Sequence, residues 1–176
     1  GSQITNALLS EKANVYIIDI KKPKKKTSAK YFKSDITNEN ELIKILKFFK
    51  LKKIKIDVLI NNAAIDYPPL KSKSNNLKLE TFSNELWDRD ISVSLKGSYL
   101  CTKVFGSYMC KFKKGSIINI SSDLGIIAPD QRIYKKSGFT KPITYSVIKH
   151  AIIGLTKYTA SYWGEKNIRC NAIAPG

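Results

Sequence analysis

The chain has 176 residues, 43% of them hydrophobic, and 31 Lys and Arg against 14 Asp and Glu give it a formal net charge of +17. This length predicts one domain over residues 1–176, and the apolar content suffices for a sizeable core. It has no signal-peptide pattern and no apolar stretch long enough to predict a membrane span. Its three cysteines form neither a CxxC motif nor a Cys/His cluster, so we expect a reduced cytoplasmic protein without a metal site.

The high positive charge raises the possibility of nucleic-acid binding. The basic residues are, however, almost all Lys, with Arg only at positions 89, 132 and 169. Arg is the residue preferred for bidentate contacts with phosphates and bases. We therefore expect no nucleic-acid partner.

Predicted strands and helices alternate along the whole chain. Apolar residues at helical spacing predict helices over residues 4–11, 38–49, 82–110 and 143–163. Short apolar runs predict strands over residues 14–20, 31–34, 56–60, 116–121 and 168–173. Polar loops are expected at 21–30 and 68–79. For the helix 38–49 we expect Thr37 as the N-cap, with Glu39 and Glu41 favourable in the first turn. The alternation predicts a parallel sheet with helices on both faces.

Tyr145 and Lys149 are four residues apart in the last predicted helix, so they share one helix face. An ammonium beside a phenol favours the phenolate, which makes Tyr145 a usable general acid/base. Ser122 follows a predicted buried strand, at the sheet edge where open α/β folds bind ligands. The three side chains together could move a proton to or from an alcohol or carbonyl oxygen. Taken alone, a YxxxK pattern also fits a packed Tyr beside a surface Lys.

Several further motifs accompany these residues in a fixed order. They are residues 34–37 (SDIT), 57–64 (DVLINNAA), 115–122 (GSIINISS), 145–149 (YSVIK) and 171–176 (NAIAPG). The set resembles the classical short-chain dehydrogenase/reductase family, which implies a Rossmann-like doubly wound parallel sheet and NAD(P)-dependent oxidation or reduction of an alcohol or ketone.

The resemblance implies catalytic roles for Ser122, Tyr145 and Lys149, of which Lys149 would also bind the nicotinamide ribose. Ser94 stands where the family has an Asn that helps to hold a proton-relay water. Because a serine hydroxyl can instead bond back to a helix carbonyl, that relay is in doubt. The residues implied at the cofactor are Gly1, Asp19, Asp35, Ile36, Asn62, Ala63, Tyr145, Lys149, Pro175 and Gly176. Asn62 could alternatively satisfy loop backbone, and Asp35 could cap the following helix.

Asp19, at the end of the predicted strand 14–20, bears on the choice of cofactor. A carboxylate there would accept hydrogen bonds from the ribose hydroxyls of NAD and repel the 2′-phosphate of NADP. Lys21 and Lys22 could soften that repulsion. We expect NAD in preference to NADP.

The segment 129–142 is polar and bounded by prolines, and it lengthens the connection between Ser122 and Tyr145. We expect it to be a loop inserted beside the site. Such an insertion resembles a subgroup of bacterial oxidoreductases linked to surface-sugar or flagellin modification.

The two ends of the chain indicate a fragment truncated at both ends. Gly1 would be the last glycine of the family's phosphate-binding turn, with the first strand missing; alternatively, Gly1 and Ser2 are a cloning remnant. Beyond Gly176 the family continues into a lid over the substrate. We therefore expect residues 1–176 to be neither stable nor active alone.

Two expectations concern the full-length protein. Helices 82–110 and 143–163 resemble those that pair subunits in the family, which implies a homodimer or homotetramer. The rival to an enzyme is a dinucleotide-binding regulatory or scaffold protein with weakened catalysis, which the serine at position 94 favours.

Overall fold

The computed structural model describes residues 1–67 and 77–176, so most of the predicted loop 68–79 lies outside the described residues. The strands are β1 (Tyr16–Asp19), β2 (Lys30–Lys33), β3 (Val58–Asn61), β4 (Gly115–Ile120) and β5 (Ile168–Ile173). The helices are α1 (Ser2–Ser10), α2 (Glu39–Leu51), α3 (Asn84–Asp90), α4 (Gly97–Cys101), α5 (Ser107–Cys110) and α6 (Ile143–Trp163). Short 3₁₀ helices are Leu79–Thr81, Asp123–Gly125, Gln131–Ser137 and Gly164–Lys166.

All paired strands are parallel, which confirms the predicted Rossmann-like α/β class. In the described part of the chain they form two sheets, β1-β2 and β3-β4-β5. Strands β1 and β3 therefore each have one edge without a strand partner there, and residues of both line a cavity of about 1210 Å³. Asp19 ends β1 and Asn61 ends β3, so the carboxyl ends of two parallel strands supply polar groups to this cavity.

Aromatic side chains join the small sheet β1-β2 to α2. The Tyr16 and Phe49 rings are 4.8 Å apart between centroids, and those of Phe32 and Phe48 are 5.3 Å apart. The ring centroids of Phe49 and Phe105 are 6.3 Å apart, which extends this core to the long helical region, residues 84–110. Because α2 also contributes the fully buried Leu42 to this cluster, it connects the small sheet β1-β2 to the long helical region.

The predicted boundaries of α6 and β5 are confirmed, whereas the predicted N-cap of α2 is wrong. The cap is Asn38, whose side chain accepts hydrogen bonds from the backbone N–H groups of Asn40 and Glu41. Thr37 is not the cap, and its hydroxyl donates to the Asp35 carboxylate at 2.8 Å. The two glutamates do lie in the first turn, as expected.

The predicted helix 82–110 begins later, at Asn84, where the Ser83 side chain caps it. Two π-helical segments, Ile91–Lys96 and Thr102–Gly106, connect α3, α4 and α5. Apolar periodicity does not reveal such segments, because a wider turn shifts the helix face only locally. The segment 129–142 is also more ordered than the predicted loop, since it contains the 3₁₀ helix Gln131–Ser137. No helix within the described ranges is both long and apolar enough to cross a membrane.

Leu42 in α2 provides a test of this core. Its side chain is 0% exposed, whereas Leu51 on the same helix is 83% exposed. In the full-length natural protein, Leu42→Ala should lower the free energy of unfolding by about 2–5 kcal/mol, because it removes buried methyl groups and leaves a cavity. The control Leu51→Ala should stay within about 0.5 kcal/mol of wild type in urea denaturation. Equal effects of both substitutions would contradict the described packing of α2.

Candidate active site

Tyr145 and Lys149 lie on the first two turns of α6, and the Lys149 Nζ is 5.5 Å from the centroid of the Tyr145 ring. The Lys149 ammonium donates a hydrogen bond of 2.8 Å to the carbonyl oxygen of Ile120, the last residue of β4. Burial lowers the pKa of Lys149 from its ordinary value; the Asp66 carboxylate acts against this shift, and the Lys141 ammonium adds to it. The predicted pair is therefore brought together on one face of the helix.

The turn that carries Ser122 packs directly on α6. The Ser121 hydroxyl donates to the backbone carbonyl of Lys149 at 2.9 Å. The Ser146 hydroxyl donates to the carbonyl of Leu124 at 3.2 Å. These two bonds hold the turn after β4 against the same helical turns that bear Tyr145 and Lys149.

Ser122 itself is buried, and its hydroxyl donates to the Asp123 carboxylate at 2.7 Å. The same oxygen accepts a bond from the backbone N–H of Leu124. The Asp123 N–H in turn donates to the carbonyl of Pro175 at 3.0 Å, and Gly176 lies next to the Asp123 carboxylate. Pro175 and Gly176 therefore lie beside the serine turn; their predicted contact with the cofactor stays a prediction.

Ser94 lies beside the Tyr–Lys pair. It is buried, it accepts a hydrogen bond of 3.0 Å from the N–H of Ile65, and it shares a pocket of about 10 Å³ with Tyr145 and Lys149. That volume is on the scale of one water molecule. The back-bond to a helix carbonyl that we considered for Ser94 is made by Ser98, whose hydroxyl donates to the Ser94 carbonyl at 2.9 Å.

Five of the residues expected at the cofactor line the large cavity. They are Gly1, Asp19, Ile36, Asn62 and Ala63. A Cβ added to Gly1 would lie 3.5 Å from the Asn62 side-chain nitrogen, so the start of α1 is close to the end of β3. The Asp19 carboxylate accepts a bond of 2.8 Å from the N–H of Lys21, which shows that the loop after β1 folds back on its own acid.

Asp35 is not among the residues that line this cavity. Its carboxylate accepts two bonds of 2.8 Å from Thr37, one from the N–H and one from the hydroxyl. It therefore shapes the turn before α2 but does not cap the helix, since Asn38 does. The neighbouring Ile36 is largely buried in the core cluster, against Gly97, and only part of it reaches the cavity.

A buried amide network supports the carboxyl ends of β3 and β4. The Asn61 side chain donates to the Asn119 carbonyl oxygen at 2.8 Å and to the Thr102 hydroxyl at 3.0 Å. Asn119 donates to the Thr156 hydroxyl at 2.8 Å. These bonds tie both strands to the long helical region and to α6.

The whole chain has relatives among known proteins. The whole chain, residues 1–176, matches the family model described as Enoyl-(Acyl carrier protein) reductase. A short chain dehydrogenase/reductase of Gibberella zeae is 35% identical over 192 aligned residues, which cover 100% of this chain and 64% of the relative. The chain belongs to the short-chain dehydrogenase/reductase family. It spans less than two thirds of the length of this relative.

Two solved structures have a similar backbone. A short chain dehydrogenase from Leptospira borgpetersenii with bound NAD⁺ has a TM-score of 0.85 at 27% identity, with 100% of this chain and 66% of that chain covered. ElxO with NADP bound has a TM-score of 0.81 at 31% identity, with 100% and 68% covered. Structures with bound NAD⁺ and with bound NADP thus share this fold.

Two residues near Tyr145, Lys141 and Asp66, were not predicted from the sequence. The Lys141 Nζ lies 3.6 Å from the centroid of the Tyr145 ring and 3.2 Å from an Asp66 carboxylate oxygen. Lys141 precedes Tyr145 by the same four residues that separate Tyr145 from Lys149, which was a usable signal. It was hidden because Pro142 places Lys141 outside the helix. Within the described ranges, no group of three or more His, Cys, Asp or Glu residues is placed to hold a metal ion.

The buried carboxylate of Asp90 was also missed. It is 2% exposed, and it accepts a bond of 2.8 Å from the Thr144 hydroxyl and bonds of 3.1 Å from the Tyr67 hydroxyl. Arg89 pairs with it at 3.1 Å. Asp90 therefore anchors the residue immediately before Tyr145 to the long helical region.

Gly125 tests the docking of the serine turn on α6. A Cβ at this position would lie 2.6 Å from the Ser121 hydroxyl oxygen and 2.7 Å from the Lys149 carbonyl oxygen, so the turn must shift. Gly125→Ala should lower the free energy of unfolding by about 1–3 kcal/mol, as overpacking does. The control is Gly154→Ala in α6, where an added Cβ would meet no atom within 4 Å. This substitution should raise the free energy of unfolding by about 0.5–1 kcal/mol. Denaturant titration of both full-length variants measures the difference; a stabilised Gly125→Ala protein would refute this docking.

Proposed function

We propose that the full-length protein is an NAD(P)-dependent oxidoreductase that transfers a hydride between a nicotinamide cofactor and an alcohol or ketone. The observation that carries the proposal is the position of Tyr145 and Lys149 on α6, against which the turn with Ser122 is packed. A phenol, an ammonium and a hydroxyl at one place are the groups needed to move a proton at a substrate oxygen.

Each side chain has a separate part in the proposed reaction. In oxidation, Ser122 hydrogen-bonds the substrate oxygen and orients it, and the Tyr145 phenolate removes the hydroxyl proton. In reduction, Tyr145 returns that proton as the general acid. Lys149, held by the Ile120 carbonyl, keeps a positive charge near the phenol and so favours the phenolate.

The carboxyl ends of β1 and β3 lie at the large cavity, and a dinucleotide would bind there. Gly1 has no side chain at the start of α1, where backbone N–H groups favour a phosphate. Asp19 would bind the adenosine ribose, and Asn62 and Ala63 would border the adenosine half. The bound dinucleotide would supply the hydride acceptor or donor.

NAD is the proposed cofactor, and the Asp19 carboxylate is the reason. A negative charge at the end of β1 would repel the 2′-phosphate of NADP. Lys21, Lys24, Lys25 and Lys26 also line the cavity and act in the opposite direction. We give more weight to the carboxylate because its position at the strand end is defined, whereas the lysines lie in a loop.

A dinucleotide-binding regulatory or scaffold protein is the second candidate function. Ser94 favours it, because the hydroxyl that replaces the family's Asn is already bonded to the Ile65 N–H. Tight dinucleotide binding without turnover over a panel of alcohols would support this candidate over the enzyme.

We also infer a substrate class and an oligomeric state. A small alcohol or ketone is the proposed substrate class, and a surface-sugar derivative stays a hypothesis based on the insertion 129–142. We also propose a homodimer or homotetramer, which is supported by the stacked and exposed Tyr158 and Tyr162 on α6. Residues 1–176 are proposed to form a single domain.

Tyr145→Phe tests the proposed acid/base. The variant keeps the ring and removes the proton carrier, so we expect kcat to fall by about 10² or more in the full-length protein. Tyr158→Phe, on the exposed side of the same helix, should retain wild-type turnover. Wild-type kcat in Tyr145→Phe would refute the mechanism.

Asp19→Asn tests the cofactor preference. We expect wild type to prefer NAD, and the variant to change the ratio of kcat/KM for NAD to that for NADP by about tenfold in favour of NADP, which corresponds to about 1.4 kcal/mol. Glu165→Gln, an exposed charge removal after α6, should leave the ratio unchanged. A wild-type protein that strongly prefers NADP would contradict the argument from Asp19.

A further inference from the structure

Lys141 places a second ammonium on Tyr145. Its Nζ lies 3.6 Å from the ring centroid, closer than the 5.5 Å of the Lys149 Nζ. The Lys141 side chain is only 12% exposed, so its charge is covered by the protein. A covered cation at this distance from a ring face is in the range of a strong cation–π contact.

Lys141 is held in this position at its backbone by the inserted segment and at its side chain by Asp66. The Gln131 side chain donates to the Lys141 carbonyl at 2.9 Å and accepts from the Lys141 N–H at 3.1 Å. At the other end of Lys141, the Asp66 carboxylate pairs with the ammonium at 3.2 Å. The backbone and the ammonium group of Lys141 are therefore both held by hydrogen bonds, unlike those of a solvated surface lysine.

We propose that Lys141 is a positioning residue that stabilises the phenolate of Tyr145, and so makes the insertion 129–142 part of the acid/base machinery; this rests on the proposed function. A cation over an aromatic face is attracted by its electron density, which is greater in a phenolate than in a phenol. The contact therefore favours the deprotonated ring, in addition to the effect of Lys149.

Other charged groups surround Tyr145, and they determine in which direction each substitution should shift its ionisation. Lys149, on the same helix, acts in the same direction as Lys141. Asp66, in the segment after β3, opposes both, because its charge offsets that of Lys141. Asp90, from the long helical region, lines the small pocket together with Tyr145 and Tyr67, and its charge also disfavours the phenolate. Removing Lys141 and removing Asp66 should therefore have opposite effects.

Absorbance measures the ionisation of Tyr145 without any substrate. For each full-length protein, a pH titration of phenolate absorbance is recorded against the same protein with Tyr145→Phe, so that the difference isolates this one ring. Lys141→Met should move the appearance of the phenolate to higher pH, because it removes the cation from the ring face. Lys141→Arg should keep the wild-type behaviour, and Asp66→Asn should move it to lower pH.

Turnover provides the second measurement. The acid limb of the pH–kcat profile for alcohol oxidation should move in the same directions, with KM for the alcohol unchanged in Lys141→Met. Since the absorbance experiment needs no activity, an inactive protein that shows the shifts would refute the proposed function and leave the role of Lys141 intact.

Three results would overturn the inference. The first is an unchanged phenolate titration in Lys141→Met. The second is a rise in KM with an unchanged titration, which would make Lys141 a binding residue for an anionic substrate. The third is a phenolate titration of Asp66→Asn that moves to higher pH or does not move. This result decides the matter if Lys141→Met does not fold.

Discussion

Lys149 is hydrogen-bonded to the end of β4 through both its side chain and its backbone, and the site depends on this attachment. Its ammonium donates to the Ile120 carbonyl, and its own carbonyl accepts from the Ser121 hydroxyl. Ile120 and Ser121 come immediately before Ser122, so the same two bonds fix the serine turn and the lysine relative to each other. A buried ammonium is costly unless it is bonded, which explains both the need for the Ile120 carbonyl and the lowered pKa of Lys149.

The surrounding polar network extends this attachment to the rest of the fold. Asn119 lies inside β4 and joins Asn61 of β3 to Thr156 of α6. Asp90 joins the long helical region to Thr144, next to Tyr145. Such fully bonded buried groups specify one arrangement of the elements, because any other would leave an amide or carboxylate without a partner. The position of the phenol is thus set by polar contacts as well as by apolar packing.

Charge at this site has a different organisation from charge on the rest of the chain. Most of the excess positive charge comes from lysines spread over loops and helix faces, and these interact weakly through solvent. Among the residues that the structure describes, Lys141 and Lys149 are the lysines whose ammonium groups approach the Tyr145 ring. Because both are covered, their effect on the ring is much less screened than that of a surface lysine.

The sequence alone determined the alternation of strands and helices, the family, and the pairing of Tyr145 with Lys149. These features depend on local periodicity and on short motifs, which a linear chain displays directly: the bounds of α6 and β5 were predicted to the residue. Even the wrong N-cap at Thr37 was an error of one position, because two neighbouring residues could both cap, and it is the Asn38 side chain that accepts from the N–H groups of Asn40 and Glu41.

The tertiary structure decided what lies around that pair. Lys141 and Asp66 are 75 residues apart in sequence, and Asp90 and Thr144 are 54 apart, so no local pattern relates them. The separation of the strands into two sheets is likewise a property of pairing between distant segments. Hydrogen bonds and ion pairs between remote residues depend on distances that only the folded chain creates, and for this reason the pairing of Lys141 with Asp66 could not be inferred from the sequence.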